Sequence, residues 1–343
     1  MIDEQLKDST PGLLVDSKGN IYIVAHAGNE GLVLVRSTDK GSSWSSRKTI
    51  DEEEGWCLIS AVIDSSDNIY VAITSGGQQW IKFYRSTDNG DSWSDTVKIT
   101  RSKKPDLWSP YIAAGKPGNL VLAWGKYEGG NLNNIYYRYS TDHGKSWSQP
   151  QYIAEANSIS FGADKLGQFN MVMDYQEGVY FSRSTNQGKS WSNPKYITTG
   201  GSPEIKIDSS GILNVLFHSD SLKFFRSLDN GVTWSEQYTV YNYWIFCTPS
   251  LAVDNLGNLN VVWIGYNEPS PPPNDTYDGI YYSRSVDNGQ NWTDNLDLSN
   301  GREIFHGASI AIDKEGTIYI IWGVKKIKDG IEYENVFFTR STD

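Results

Sequence analysis

Residues 86–93 read Ser86-Thr87-Asp88-Asn89-Gly90-Asp91-Ser92-Trp93, and this stretch decides the fold because it recurs. The pattern Ser-x-Asp-x-Gly-x-x-Trp appears as Ser37, Asp39, Gly41, Trp44 and as Ser140, Asp142, Gly144, Trp147. It returns as Ser227, Asp229, Gly231, Trp234 and as Ser285, Asp287, Gly289, Trp292. The remaining full copy is Ser184, Asn186, Gly188, Trp191, with Asn in the Asp place. A seventh begins at Ser341 and reaches Asp343. From Ser37 to Ser341 there are 304 residues in six steps, a period of about 51, which marks a repeat architecture. Each residue type has a physical reason. The Asp accepts backbone N–H bonds in its own turn, Gly supplies a left-handed position, and Trp brings a large apolar surface.

A second signature interleaves with the first. Asp-x-x-Gly followed by an apolar strand starts at Asp16, Asp64, Asp164, Asp208, Asp254 and Asp313, with Asp67 standing for Gly in the second. Gly115 opens a degenerate copy, which makes seven. Each unit then reads as an apolar strand, a turn, a second strand such as 69–73, a variable loop, a third strand such as 81–85, the octapeptide turn and a weak fourth strand such as 96–99. Four antiparallel strands repeated at this period predict an all-β fold, a β-propeller with seven four-stranded blades; a six-bladed ring is the alternative. The 343 residues fit seven units as one domain, 1–343. The last unit lacks its fourth strand, and residues 1–8 are expected to supply it and close the ring, with Ile2 and Leu6 facing inward.

The octapeptide resembles the Asp-box, or bacterial neuraminidase repeat, of the sialidase superfamily. That resemblance implies Asp39, Asp88, Asp142, Asn186, Asp229 and Asp287 as structural box residues. It also implies a ligand face opposite the boxes, formed by the loops entering each first strand and those between second and third strands. Sialidases of this family carry an Arg-Ile-Pro motif, three Arg on the substrate carboxylate, and a Tyr nucleophile. No Arg-Ile-Pro occurs in this sequence. Arg36, Arg85, Arg183, Arg226, Arg284 and Arg340 each precede a box Ser, and Arg138 lies one place earlier. A residue repeated in every unit reads as an inter-blade contact, which leaves Arg47, Arg101 and Arg302, so true sialidase activity is disfavoured.

Departures from the internal consensus single out blades 4 and 5. Four residues before the unit Asp stand Gly12, Ser60, Tyr111, Ser160, Glu204, Ser250 and Ser309; two residues before it Lys206 is the one charge. Alternation puts Glu204 and Lys206 on one strand face. Asp174 and His218 end second strands nearby, followed by Tyr175 and Asp220. Glu204 and Asp174 are the candidate acid/base pair, with His218, Lys206, Tyr175 and Asp220 as candidate ligand contacts. An ion pair of Glu204 with Lys206 is the competing structural reading. Trp56, Trp108, Trp244 and Trp80, with Tyr127 and Tyr266, lie in the face-forming loops, where aromatic rings stack on sugars.

The remaining features bound the partners. A net charge of −11 without a basic stripe argues against nucleic acid. With 38% hydrophobic residues and no long apolar run, no membrane insertion is expected. Four scattered His give no metal spacing, and His143 reads as a solvent-facing box residue; no metal and no cofactor are expected. Cys57 and Cys247 occupy equivalent places in blades 2 and 6, across the ring, and are expected to be free thiols. The expected partner of this monomer is a glycan or other small polar ligand. The alternatives are a hydrolase or lyase acting on a non-sialic glycan, and a protein-interaction scaffold. The resemblance suggests an extracellular or cell-surface place, with no signal peptide in the chain and the cytoplasm as the alternative.

Overall fold

Alternating apolar residues and regularly spaced turns build seven antiparallel sheets, at residues 12–51, 59–101, 107–156, 158–199, 201–241, 250–297 and 304–341. The computed structural model describes residues 6, 11–52, 58–75, 77–130, 132–243, 245, 249–265, 279–299, 304–328 and 331–341. Six sheets have four strands in sequence order, and the seventh has three among the described residues. They form a seven-bladed propeller. Among the described residues one 3-10 turn, Gly28–Glu30, is the helical element.

Second strands are the most apolar and the most covered. All seven residues of Ile69–Ser75 are buried, because each blade packs on a neighbour at both faces. The result is seven hydrophobic cores, each shared by two successive blades. One joins Leu216 and Phe224 of blade 5 to Leu259 and Trp263 of blade 6. Another joins Ile23 and Val35 of blade 1 to Tyr319, Ile321 and Val336 of blade 7, and so closes the ring. Leu6 is fully buried in that closing core. The other residues of 1–8 lie outside the described residues.

The Asp-box is a lock between blades. In all six full copies the Ser hydroxyl accepts the Gly N–H at 2.8–2.9 Å. The Asp or Asn side-chain oxygen accepts the N–H four residues on at 2.8–3.0 Å. Asn186 keeps the turn by donating its amide to Ser190 Oγ at 2.8 Å, where Asp39, Asp88, Asp142 and Asp229 accept a hydroxyl and Asp287 accepts the Asn291 amide. The box Gly then lies against the third strand of the preceding blade. An added Cβ would stand 2.4 Å from Phe83 at Gly144, 2.2 Å from Phe181 at Gly231 and 2.3 Å from Phe224 at Gly289. Gly41 meets Phe338 at 2.3 Å in the same way, so ring closure repeats the ordinary step. The Trp side chains follow: Trp147 packs edge-on to Phe83, and Trp44 to Phe338.

Four of the six Arg residues that directly precede a box Ser serve this lock. Arg36 donates to Asn89 O at 3.0 Å, Arg85 to His143 O at 3.1 Å and Arg226 to Asn288 Oδ1 at 2.6 Å, each in the next blade's box. Arg340 reaches Lys40 O across the closure. Arg183 and Arg284 turn instead to the unit Asp of their own blades. His143 is not simply solvent-facing, because its Nδ1 meets the Tyr70 hydroxyl of blade 2 at 2.8 Å. Both Cys57 and Cys247 lie outside the described residues.

Candidate functional site

Antiparallel order sets two faces. Asp-x-x-Gly turns and boxes lie on one; the starts of first strands and ends of second strands lie on the other. On that second face, between blades 4 and 5, a cavity of about 750 Å³ opens. Blade 4 contributes Asp174, Glu177, Thr198 and Thr199, and blade 5 contributes Gly201, Ser219, Asp220, Lys223 and Gln237.

Asp174 ends the second strand of blade 4, Phe169–Tyr175. It is buried, and its Oδ2 accepts the Ser202 N–H at 3.2 Å. Burial raises its pKa, opposed by the bonds from Ser202 and Asn157. Gly201 allows this approach, since a Cβ there would lie 2.6 Å from Asp174 Oδ2. Opposite stand Asp220 and Lys223, paired at 2.7 Å. Lys223, helped by the Ser219 hydroxyl, holds the Asp220 carboxyl well below the usual range. His218 ends the second strand of blade 5, and burial lowers its pKa despite nearby Asp220.

Backbone strain gathers at this rim. Gln176 and Glu177, with φ of 46° and 58°, form the two-residue turn between paired Tyr175 and Gly178. Such a turn ordinarily uses Asn-Gly, because both residues must be left-handed. Ser202 has φ of 49°. Among the described residues, eleven non-glycine residues have positive φ; six belong to boxes, and of the other five Glu177 lines this cavity while Gln176 and Ser202 adjoin lining residues. Strain of this kind costs of order 1–3 kcal/mol per residue and collects at functional sites.

Glu204 lies elsewhere. It faces the axial channel, in a second cavity of about 330 Å³ with Tyr111, Ser160, Lys206 and Ser250. Its Oε1 is 3.0 Å from Lys206 Nζ, and its Oε2 accepts the Leu251 N–H of blade 6 at 2.7 Å. Burial pushes its pKa up, and Lys206 opposes this. Equivalent serines make the same inter-blade bond. Ser60 accepts from Ile112 at 3.1 Å, Ser160 from Ile205 at 3.2 Å and Ser250 from Ile310 at 3.4 Å. Glu204 thus occupies a place in a belt of inter-blade acceptors, and it lines a different cavity from Asp174.

The aromatic candidates separate as well. Trp80 begins a third strand rather than lying in the loop, and Lys98 and Arg101 stand 4.9 and 4.8 Å from its ring centre. Trp108 is 41% exposed on the first strand of blade 3, and Tyr127 is exposed beyond its second strand. Tyr175 packs edge-on against Tyr180. Trp56, Trp244 and Tyr266 lie outside the described residues. Arg47 pairs with Glu30 at 3.0 Å, and Arg302 lies outside the described residues. Among the described residues, no group of three or more His, Cys, Asp or Glu side chains could hold a metal ion. No described helix is long and apolar enough to cross a membrane.

Sequence reasoning missed Asn157, Glu177, Lys223, Gln237 and the Thr198–Thr199 pair. The one legible signal was Gly200-Gly201, the two-glycine junction of blades 4 and 5.

A BNR/Asp-box repeat family model matches residues 138–149, the third box. The chain is a seven-bladed Asp-box propeller with sialidase-like structural neighbours. A polysaccharide lyase of family 25, an ulvan lyase bound to -[GlcA(1-4)Rha3S]-, aligns with 98% of this chain and 95% of its own at 12% identity and TM-score 0.58. The NanB sialidase from Streptococcus pneumoniae aligns over 99% and 70% at 13% identity and TM-score 0.53. The Aleuria aurantia lectin, bound to Fucalpha1-6GlcNAc, aligns over 87% and 98% at 10% identity and TM-score 0.57. These identities establish a shared fold. No curated protein sequence matches the chain.

Proposed function

We propose that this propeller binds an uncharged glycan in the cavity between blades 4 and 5, without sialidase activity. That cavity carries the reading. Its carboxylates, hydroxyls and amides suit sugar hydroxyls, which donate and accept together. Asp174, Glu177 and Asp220 outnumber Lys223, which Asp220 already neutralises, so anionic sugars are repelled. No Arg lines the cavity among the described residues, whereas sialic acid recognition relies on guanidinium groups. Neighbours named as lyase, sialidase and lectin support a carbohydrate ligand. The protein acts as a monomer of one domain, outside the cell or at its surface, with residues 1–8 completing blade 7.

A glycan array run beside chromogenic glycosides and a uronate-lyase absorbance assay tests this. Expected are retention of neutral glycans and no turnover, with binding weakened about tenfold or more by Asp174→Asn or Lys223→Ala. Turnover abolished by Asp174→Asn would favour the second reading, a hydrolase or lyase. The burial of Asp174 at the cavity wall, which raises its pKa and so favours its proton-holding form, is the observation behind it. Binding of no glycan would leave the scaffold reading.

A further inference from the structure

The outermost strands carry an asymmetry that packing does not require. Their register can be compared from blade to blade at the pair that follows the bulge between third and fourth strands. That pair is Val33 with Thr49 in blade 1, Lys82 with Lys98 in blade 2 and Lys223 with Thr239 in blade 5. In blades 3 and 4 it becomes Tyr136 with Tyr152 and Tyr180 with Tyr196. Tyr152 is 55% and Tyr196 51% exposed, on strands whose other exposed residues are Glu155, Lys195 and Thr199. Rings meet edge-on, Tyr180 with Tyr196 at 5.4 Å and with Tyr175 at 5.7 Å, and Tyr136 with Tyr152 at 5.9 Å. In each pair it is the fourth-strand ring, Tyr152 or Tyr196, that keeps about half of its surface open to solvent.

This aromatic ground joins the cavity. Tyr196 OH lies 3.0 Å from Thr199 Oγ1, and Thr199 lines the cavity wall. The equivalent register place in blade 5 is Lys223, itself part of that wall. At this register place three successive blades therefore present Tyr136 and Tyr152, then Tyr180 and Tyr196, then Lys223.

We infer that the binding site continues from the cavity over the outer edge of blade 4 onto this tyrosine platform, so that the ligand is an oligosaccharide chain rather than a terminal sugar. The inference rests on the glycan reading above. Sugar rings offer C–H faces that stack on exposed tyrosines, and phenol hydroxyls reach their oxygens. A chain fixed at one end in the polar cavity would lay later units on Tyr196 and Tyr152.

Calorimetric titration with cello-, manno-, xylo- and chito-oligosaccharides, from disaccharide to hexasaccharide, provides the test. Expected is affinity that rises with length for the ladder that binds. Tyr196→Ala and Tyr152→Ala should each weaken the hexasaccharide about fivefold to tenfold and leave the disaccharide unchanged, while Tyr196→Phe keeps most of the affinity. In the unmodified protein, the hexasaccharide and not the disaccharide should slow nitration of Tyr196 and Tyr152 by tetranitromethane. Equal affinity at every length, with silent Tyr variants and unprotected tyrosines, overturns the platform and leaves the cavity reading standing. Binding of no ladder, neutral glycans on an array included, overturns both.

Discussion

Lys40, Asn89, His143, Gln187, Asn230 and Asn288 each stand just before a box glycine, with φ from 57° to 67°. Each box thus holds two consecutive left-handed residues. The glycine was legible because its type never varies; its neighbour was not, because four residue types fill the place. Left-handed backbone costs an L-residue roughly 1–2 kcal/mol. Gln187 is exposed, so Gln187→Gly should raise stability by about 0.5 kcal/mol after the added unfolded-state entropy is subtracted. Gly231→Ala should do the reverse. It places a Cβ 2.2 Å from Phe181 at φ of 85°, and should cost about 3 kcal/mol. Urea unfolding of the two variants reads both signs.

Among elements, the two kinds of carboxylate respond to acid in opposite senses. Hydrogen bonds from Ser43, and burial opposed by bonds from Ser146, leave Asp39 and Asp142 with pKa values of about 2. Bonds from Thr233 bring Asp229 to about 2. A folded pKa below the unfolded 3.8 means stability that is present above pH 3.8 and lost as pH falls toward 2. Asn186 does not titrate, so Asn186→Asp should lose more stability than the parent across that window. Asp174 carries the opposite shift. Its folded pKa is raised by burial, so its contribution weakens as pH rises through and above the ordinary carboxylate value. Asp174→Asn should therefore be more stable than the parent at pH 7 and equal to it near pH 3, by urea unfolding at each pH. Box and Asp-x-x-Gly turns were readable because their side chains bond within a few residues. The cavity was not, because Gln176-Glu177 lacks the Asn-Gly signature and because Asp174 meets Ser202 only when two blades are brought together. Glu204 misled for a related reason. A glutamate in a column of serines looks like chemistry, yet its Oε2 makes the bond that the serines make.

At the scale of the whole molecule, the period set the number of blades, and seven shared cores follow from it. The ring shuts through the core that blade 1 shares with blade 7, and one leucine from before blade 1 joins it. Leu6 is fully buried in this core, among residues of blades 1 and 7. Leu6→Ala should cost about 2–5 kcal/mol, whereas Leu256→Ala, at a turn residue 87% exposed, should cost under about 0.5 kcal/mol. Deleting residues 1–8 should lower the melting temperature at least as far as Leu6→Ala; an unchanged value would sink the proposal that this segment completes blade 7.

Every box grips the blade before it, and that gives the ring a direction in time. During synthesis, boxes two to six find their partner strand already made. The first box, at Ser37–Trp44, has to wait for Phe338 and Arg340, about three hundred residues later. Until then blade 1 lacks its partner from blade 7, and the first blade made is the last to be secured. A ribosome stalled before blade 7 would therefore hold six blades with the loose end at their beginning.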